Sequence, residues 1–206
     1  MTEAALRNAI VRFAKSLFDR GYTVGSSGNI SVRLADGLLI TPTNSCFGDL
    51  DPARLSKLDS EGRHIAGDKP SKEIFLHQAF LDTRGTADAV VHLHSTYATA
   101  VSCLADVDPH DALPPLTPYF LMRVGHLPLL PYYRPGDPAM GESIRALQGR
   151  YAAVLLANHG PVVSATDLAS AVYASEELEE TAKLYLLLKG RAVRPVPADR
   201  IAELLD

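Results

Sequence analysis

The chain has only two cysteines, Cys46 and Cys103, which are too few for a disulfide framework and lack the spacing of a metal site. No apolar run is long enough to cross a membrane, and the amino terminus lacks the basic region and apolar core of a signal peptide. The formal net charge of -4 is weak and unpatterned, which argues against a nucleic-acid partner. We therefore expect a reduced, cytoplasmic protein that binds neither membranes nor nucleic acid.

The composition is that of an ordinary globular protein. Hydrophobic residues make up 47% of the chain and charged residues 21%. A length of 206 residues suffices for one well-buried core, and nothing in the sequence requires a second domain. The sequence thus predicts a single domain over residues 1–206.

A pair of histidines stands out at the end of an apolar run. Residues 89–95 read AVVHLHS, and the valine-rich first half is typical of a buried strand. Successive strand side chains point to opposite faces, so His92 and His94 should project from the same face. Two such imidazoles can share one metal ion. Taken alone, however, a His-x-His pair at a strand end is more often a hydrogen-bonded structural feature.

A third histidine is presented in a similar way. Residues 152–157 are continuously apolar, as in a central strand, and lead into His159 and a Gly-Pro break. Glu73 supplies a carboxylate from residues 70–73, which read PSKE and open a predicted helix. Three neutral histidines with an open fourth position are typical of a catalytic zinc site, since a structural one uses four protein ligands. The other histidines show no partner pattern and are interpreted as surface or satisfied core residues: His64, His77, His110 and His126.

Two loops of small residues precede the histidine pair. Residues 25–31 read GSSGNIS and residues 41–45 read TPTNS, and both offer backbone N–H groups and hydroxyls with little bulk. Such loops suit a phosphate or another oxyanion, although each alone is more often an ordinary turn. Neither matches a P-loop or a dinucleotide fingerprint. Ser71 fits the N-cap of the PSKE helix, and Lys72 adds a positive charge to that helix start.

Apolar periodicity predicts helices at both ends of the chain. The first has Thr2 as its N-cap, and the last spans about residues 167–189 with Thr166 as its N-cap. A hairpin turn is predicted at Asp36-Gly37.

The middle of the chain is rich in prolines, which limit its helices. Ser95 is expected to cap a short helix, and the seven prolines of residues 109–135 exclude a long one. That crossing is predicted to be a loop with a short strand at residues 127–130, followed by a helix over residues 137–148. Periodicity alone favours a parallel sheet.

Five motifs, in this order, resemble the class II aldolase and adducin family: residues 25–31, 41–43, 70–73, 92–95 and 158–160. The resemblance implies an α/β fold, a three-layer α/β/α sandwich with a mostly antiparallel central sheet. It implies that His92, His94 and His159 bind a divalent metal, usually zinc. It also implies that Glu73 is the catalytic acid/base and can occupy the metal's fourth position when substrate is absent.

The resemblance further implies a pocket for a substrate phosphate. Its lining would be Gly28, Asn29, Thr43, Asn44, Ser71 and Lys72. Family members are commonly homotetramers with the site between subunits, so Tyr119 is expected to reach into a neighbouring subunit's site as a catalytic residue.

Within the family, residues 116–125 and 131–137 are similar to decarboxylases that act on 3-oxo-tetronate 4-phosphates. Lys72 stands where fuculose-phosphate aldolase has a second serine. That aldolase also has a tyrosine in its carboxy-terminal tail, whereas this chain has none after Tyr185. Both departures favour the decarboxylase over the aldolase.

Three functional hypotheses result. The first is zinc-dependent decarboxylation of a small phosphorylated sugar acid, a 3-oxo-tetronate 4-phosphate, to dihydroxyacetone phosphate and CO2 through a metal-stabilised enediolate. Arg123, Arg134 or Lys72 could hold the substrate carboxylate. The second is a fuculose or ribulose 1-phosphate type of aldolase, which would release an aldehyde. The third is a non-catalytic scaffold module, as in adducin, and the complete set of histidines with Glu73 argues against it.

Overall fold

The computed structural model describes residues 1–205 of the chain. The strands in that range are β1 (Asn29–Leu34), β2 (Gly37–Ile40), β3 (Ser56–Asp59), β4 (His64–Ala66), β5 (Ala89–His92), β6 (Leu129–Leu130), β7 (Ala153–Leu156) and β8 (Gly160–Ala165). The α-helices are α1 (Glu3–Asp19), α2 (Ile74–Thr83), α3 (Thr96–Ser102), α4 (Pro118–Arg123), α5 (Ala139–Ala146) and α6 (Leu168–Leu188). Over the described range, none of these helices combines the length and apolarity that spanning a membrane requires.

One mixed sheet contains all of these strands, in the order β4-β3-β2-β1-β5-β8-β7-β6. Every neighbouring pair is antiparallel except β6 and β7, which run parallel. The mostly antiparallel sheet is therefore confirmed, and the parallel sheet that periodicity favoured is wrong. The apolar run of β7 suggested a central strand, but β7 lies second from one edge of the sheet. The run is apolar because successive residues, such as Val154 and Leu155, point to opposite faces and enter two different hydrophobic clusters.

Helices pack against the sheet through alternate strand residues. Val90 of β5 packs with residues of α2 and α5, whereas the next residue, Val91, packs with residues of α1 and α6. This follows from the two-residue period of strand side chains. The sheet therefore contributes to a hydrophobic core on each side, and its strand ends are left to carry polar groups.

Helix starts show where local signals were right and where they were wrong. Thr2 caps α1, as predicted, because its hydroxyl accepts the Ala5 N–H at 3.3 Å. The last helix is capped by Asp167, which accepts the N–H of Ser170 at 2.9 Å, and the predicted Thr166 cap is wrong by one residue. A carboxylate is the stronger acceptor at a helix start because it also opposes the helix dipole.

The PSKE helix also begins later than predicted. α2 starts at Ile74, Glu73 occupies the cap position, and Ser71 lies two residues before it. The Ser71 hydroxyl accepts the Glu73 N–H at 3.2 Å, so it holds the residue that precedes the helix rather than the helix itself. Glu73 therefore lies at the start of α2, and its side chain makes no capping hydrogen bond to the helix.

The proline-rich crossing contains one element that was not predicted. α4 begins after Thr117, whose hydroxyl accepts the Phe120 N–H at 3.2 Å, with Pro118 in the first turn. Proline is compatible with that position because its missing N–H would have no partner there. β6 is shorter than predicted, and β8 was missed because its opening residues, Gly160 and Pro161, were interpreted as a break.

Candidate metal centre and active site

Three adjacent strands deliver the histidines to one end of the sheet. β5 ends at His92, which pairs with Asn29 of β1 and with Val162 of β8. His94 follows two residues later, and His159 lies in the turn between β7 and β8. Asn158 makes this turn possible, since its φ of 57° lies in the left-handed region that asparagine tolerates better than most residues. The antiparallel register thus brings residues 65 positions apart into contact.

The imidazoles meet through their Nε2 atoms. The Nε2 of His94 lies 3.1 Å from that of His92 and 3.0 Å from that of His159. The carboxylate of Glu73 completes the cluster, with Oε2 at 3.5 Å from the His92 Nε2 and Oε1 at 3.4 Å from the His159 Nε2. Ligands of a tetrahedral zinc ion stand about 3.4 Å apart, given bonds of about 2.1 Å. The four side chains therefore fit a zinc-sized divalent ion.

A carbonyl group fixes the orientation of the most buried ring. The Nδ1 of His92 donates to the Pro161 carbonyl oxygen at 2.9 Å, so its proton resides on Nδ1 and its Nε2 lone pair faces the cluster. A backbone or carboxylate acceptor behind a ligating imidazole is the usual support of a metal site. This hydrogen bond is a second, independent reason why the cluster fits a metal.

Burial keeps the three imidazoles uncharged. Burial, followed by repulsion from His94 and His159, holds the pKa of His92 well below its ordinary value. The pKa values of His94 and His159 are also lowered, in each case chiefly by burial. Neutral imidazoles are the form that binds metal. The site is thus prepared to bind a cation at neutral pH without first releasing protons.

A chain of buried hydrogen bonds supports Glu73 from behind. Asn29 donates from Nδ2 to Glu73 Oε2 at 3.0 Å, and its Oδ1 contacts the Nε2 of His77. The Nδ1 of His77 in turn contacts the Ser31 hydroxyl at 2.7 Å. His77 was interpreted as a surface or satisfied core residue, and it is indeed buried with both nitrogens bonded. Its connection to Glu73 depends on sheet pairing and was not visible in the sequence.

The residues predicted to bind phosphate all line one cavity of about 230 Å³. Its lining includes Glu73 and His94 together with Gly28, Asn29, Thr43, Asn44, Ser71 and Lys72. Pro135 and Gly136 of the proline-rich crossing close another side. A larger hollow of about 810 Å³ lies between α1, β1 and α6, but none of the predicted site residues lines it.

Gly28 shows why this loop needs a residue without a side chain. Its φ is 85°, and a Cβ atom there would lie 2.9 Å from the carbonyl oxygen of His92. Any larger residue would push the loop away from the histidine strand. The cavity and the cluster of histidines are therefore neighbours, because this loop packs directly on β5.

A model of the class II aldolase and adducin N-terminal domain matches residues 8–186. The chain belongs to the class II aldolase and adducin family. It is 52% identical over 204 residues to the 3-oxo-tetronate 4-phosphate decarboxylase of Pectobacterium atrosepticum, covering 98% of this chain and 94% of that protein. It is 34% identical over 191 residues to the L-fuculose phosphate aldolase of Escherichia coli, covering 90% of this chain and 86% of that protein. It superposes on the crystal structure of YgbL from Klebsiella pneumoniae with a TM-score of 0.96 at 49% identity, covering 99% of each chain.

Three residues singled out by resemblance to this family lie away from the cavity lining. Tyr119 of α4 is 61% exposed. Arg123, on the same helix, lies over the ring of Tyr173 at 5.8 Å from guanidinium carbon to ring centroid. Arg134 is exposed, but it directly precedes Pro135, which lines the cavity. Lys72 thus lines the cavity itself, and Arg134 adjoins a residue that does.

One buried carboxylate near the site was missed. Ser95 was predicted to cap α3, but its hydroxyl is buried and bonds to no residue in the described chain. Glu179 of α6 performs that role instead, accepting the N–H groups of Tyr97 and Ala98 at 2.8 Å each. A glutamate on the buried stripe of α6 was the available signal, since such a position normally carries an apolar residue. Glu179 thereby anchors the helix that follows directly from His94.

The cluster predicts metal binding that depends on each histidine. His94→Ala should abolish tight zinc binding, because three imidazoles are the minimum set in this family member. His94 is the best choice for the test, since it is less buried than His92. The measurement is zinc per chain by elemental analysis after dialysis, with His110→Ala, an exposed histidine, as the control. One zinc per chain in His94→Ala would show that His94 is not a ligand; His92→Ala and His159→Ala are tested in the same way.

The buried histidines also predict how stability depends on pH. Burial, with a smaller contribution from His92, lowers the pKa of His77 to about 3. His77 and His92 should therefore stay neutral in the folded protein while unfolded histidines gain protons below about pH 6.5. The unfolded state binds more protons there, so the free energy of unfolding of the metal-free protein should fall as pH falls from 6.5 to 5. The slope should approach about 1.4 kcal/mol per pH unit for each fully buried histidine.

Urea unfolding of the metal-free protein at half-unit pH steps measures this slope. The chosen window lies above the range in which ordinary carboxylates titrate, so histidines dominate it. His77→Gln should reduce this slope by about 1.4 kcal/mol per pH unit, the contribution of one proton. A free energy of unfolding that stays constant between pH 6.5 and 5 would contradict the expectation.

Proposed function

We propose that this chain decarboxylates a 3-oxo-tetronate 4-phosphate, releasing dihydroxyacetone phosphate and CO2. The observation that carries the proposal is the position of the histidine cluster and Glu73 beside a cavity lined by the residues expected to bind phosphate. The relative from Pectobacterium atrosepticum, which bears this activity in its name, covers nearly the whole chain at 52% identity. A single domain with a three-layer α/β/α arrangement, in the cytoplasm, is part of the same proposal.

The substrate would lie with its phosphate in the small-residue loops. Gly28 and Thr43 offer backbone and hydroxyl groups there, and Lys72 adds the positive charge that a phosphate dianion needs. The ketone end would then point to the histidines, because His94 and Glu73 line the same cavity. Binding energy from the phosphate, remote from the bond that breaks, would hold the reacting end in place.

His92, His94 and His159 would hold the divalent ion, and zinc suits their three nitrogen donors. When bound, such an ion supplies a Lewis acid that polarises a ketone and stabilises negative charge on its oxygen. The His92 hydrogen bond to the Pro161 carbonyl keeps the ligating nitrogen turned inward through the reaction. Glu73, 15% exposed, is close enough to the cluster to occupy a fourth position before substrate arrives.

Glu73 is also the group placed to handle the proton. Loss of CO2 breaks the bond between C1 and C2, and the electron pair becomes the C2–C3 double bond of an enediol. Protonation of C2 then regenerates the ketone and gives dihydroxyacetone phosphate, so one proton is consumed in each turnover. Glu73, or a water that it positions, would deliver that proton. Asn29 holds the carboxylate on the cavity side through its 3.0 Å hydrogen bond.

Replacing Glu73 with glutamine tests this role. Glu73→Gln keeps the shape but removes the titratable group, so turnover should fall by about 100-fold or more while zinc remains bound. Turnover is followed by CO2 release and by zinc content on the same sample. Glu61→Gln, which changes an exposed acid of the β3–β4 hairpin, is the control. Near-normal turnover in Glu73→Gln would leave that residue as a helix-start residue only.

An aldolase reaction is the second candidate, favoured by the 34% identity to L-fuculose phosphate aldolase. Two features weigh against it. Lys72 lines the cavity where the aldolase resemblance requires a serine. The tail after Tyr185 carries no tyrosine, and Val196 within it pairs with the backbone of Pro115, so the tail runs along this chain's own crossing. A scaffold role like that of adducin is opposed by the complete cluster of histidines and Glu73.

We also propose a homotetramer in which a neighbouring subunit's Tyr119 completes the site. Its exposure of 61%, beside Met122 at 60%, leaves the α4 surface available for such a contact. Arg134 remains a candidate for holding the substrate carboxylate, whereas Arg123 lies over the ring of Tyr173. A cation too close to the carboxylate would oppose loss of neutral CO2, so Lys72 is assigned to the phosphate.

The choice of reaction is tested with a substrate panel. The zinc-loaded protein should release CO2 and dihydroxyacetone phosphate from 3-oxo-tetronate 4-phosphate and should cleave fuculose or ribulose 1-phosphate poorly. The unphosphorylated acid should lose most of kcat/KM, because the loops would then have no phosphate to bind. Lys72→Ser should raise KM without creating aldolase activity. Rapid cleavage of the ketose phosphates with no CO2 from the oxo acid would make the aldolase correct.

A further inference from the structure

We propose that His77 is a positioning residue that sets the catalytic carboxylate through Asn29. The proposal rests on the role given to Glu73 under the proposed function. His77 lies on α2, one turn after Glu73, and is fully buried. It neither lines the cavity nor belongs to the cluster of histidines with Glu73, and its two nitrogens bond to Ser31 and Asn29.

The direction of every hydrogen bond in this chain follows from its last member. The Glu73 carboxylate can only accept, so the atom of Asn29 that faces it must be the Nδ2 donor. The Oδ1 of Asn29 then faces His77 and requires a donor, which must be an N–H on the His77 Nε2. A neutral His77 has its lone pair on Nδ1, where the Ser31 hydroxyl donates at 2.7 Å. One tautomer of His77 therefore satisfies all the groups.

The amide of Asn29 serves two sides of the site. It is 4% exposed, and one of its two N–H groups is directed to Glu73. The same side chain lines the cavity assigned to the phosphate. Without a donor at His77, the amide could rotate and turn its Oδ1 toward the carboxylate, so that two acceptors would face each other. His77 prevents this rotation and so keeps donors directed at both Glu73 and the substrate.

Two amide variants separate this role from mere packing. A glutamine side chain at position 77 reaches as far as the Nε2 of histidine and can donate to Asn29, whereas an asparagine matches only the Nδ1 end. Asparagine is one methylene shorter than glutamine and leaves a larger cavity at this buried position, so the melting temperature of both variants is measured to separate damage to packing from loss of the donor. His64→Asn, at an exposed histidine of β4, is the matched surface control.

The experiment measures kcat and KM for decarboxylation in zinc-loaded wild type and variants. His77→Asn should lower kcat about 10- to 100-fold and raise KM, with zinc still bound, as expected for loss of an outer support of a site residue. His77→Gln should recover most of that loss at a similar melting temperature. An asparagine variant with normal kcat, or a glutamine variant as impaired as the asparagine one, would overturn the proposal.

A spectroscopic measurement does not depend on the reaction. Nitrogen-15 NMR of His77 in the folded wild type should show a protonated Nε2 and an unprotonated Nδ1. The opposite tautomer would contradict the proposal whatever the activity. If the wild type fails to decarboxylate the oxo acid but His77 shows the expected tautomer, the proposed function is wrong and the hydrogen-bonded support of Glu73 stands.

Discussion

The whole site depends on the meeting of three imidazoles at one point. The Nε2 of His94 lies 3.1 Å from that of His92 and 3.0 Å from that of His159, and in the metal-binding tautomer all three would direct lone pairs at one point, which is unfavourable unless a cation lies there. Burial opposes protonation of the rings, since it lowers the pKa of each. The fold must therefore hold the rings together by other means. It does so with the pairing of β5 to β1 and β8 and with the carbonyl of Pro161.

Strand register is what makes this arrangement specific. His92 pairs with Asn29 on one side and with Val162 on the other, so one pairing interaction fixes a candidate metal ligand and the support of Glu73 together. A slip of one residue would turn these side chains to the opposite face of the sheet. Buried valines on both neighbours resist such a slip, because it would also expose the hydrophobic cores. The core and the site are thus held by the same backbone pairing.

Local chemistry could be read from the sequence, and long-range pairing could not. The alternation that puts His92 and His94 on one face, the cap at Thr2 and the hairpin at Asp36-Gly37 depend on a few neighbouring residues, and the structure agrees with each. Other contacts join residues that are far apart in the chain. Glu179 caps a helix whose N–H groups lie 81 and 82 positions away, and His77 bonds to Asn29 across 48 positions. No local pattern encodes such contacts. The antiparallel sheet itself came from the family resemblance, since apolar periodicity favoured the wrong topology.

The division of labour between core and surface bears on how one scaffold could serve two reactions. Stabilising charge on a ketone oxygen is common to decarboxylation and aldol cleavage, and the parts that would do this are the buried ones, His92 above all. The groups that would meet the departing fragment, CO2 or an aldehyde, lie on exposed segments: the loop around Arg134 and, in the proposed tetramer, Tyr119 of α4. Exposed segments can change without disturbing a packed core, since few buried contacts depend on them. Specificity for the leaving group should therefore be set by these segments, and the metal cluster alone cannot distinguish the two reactions.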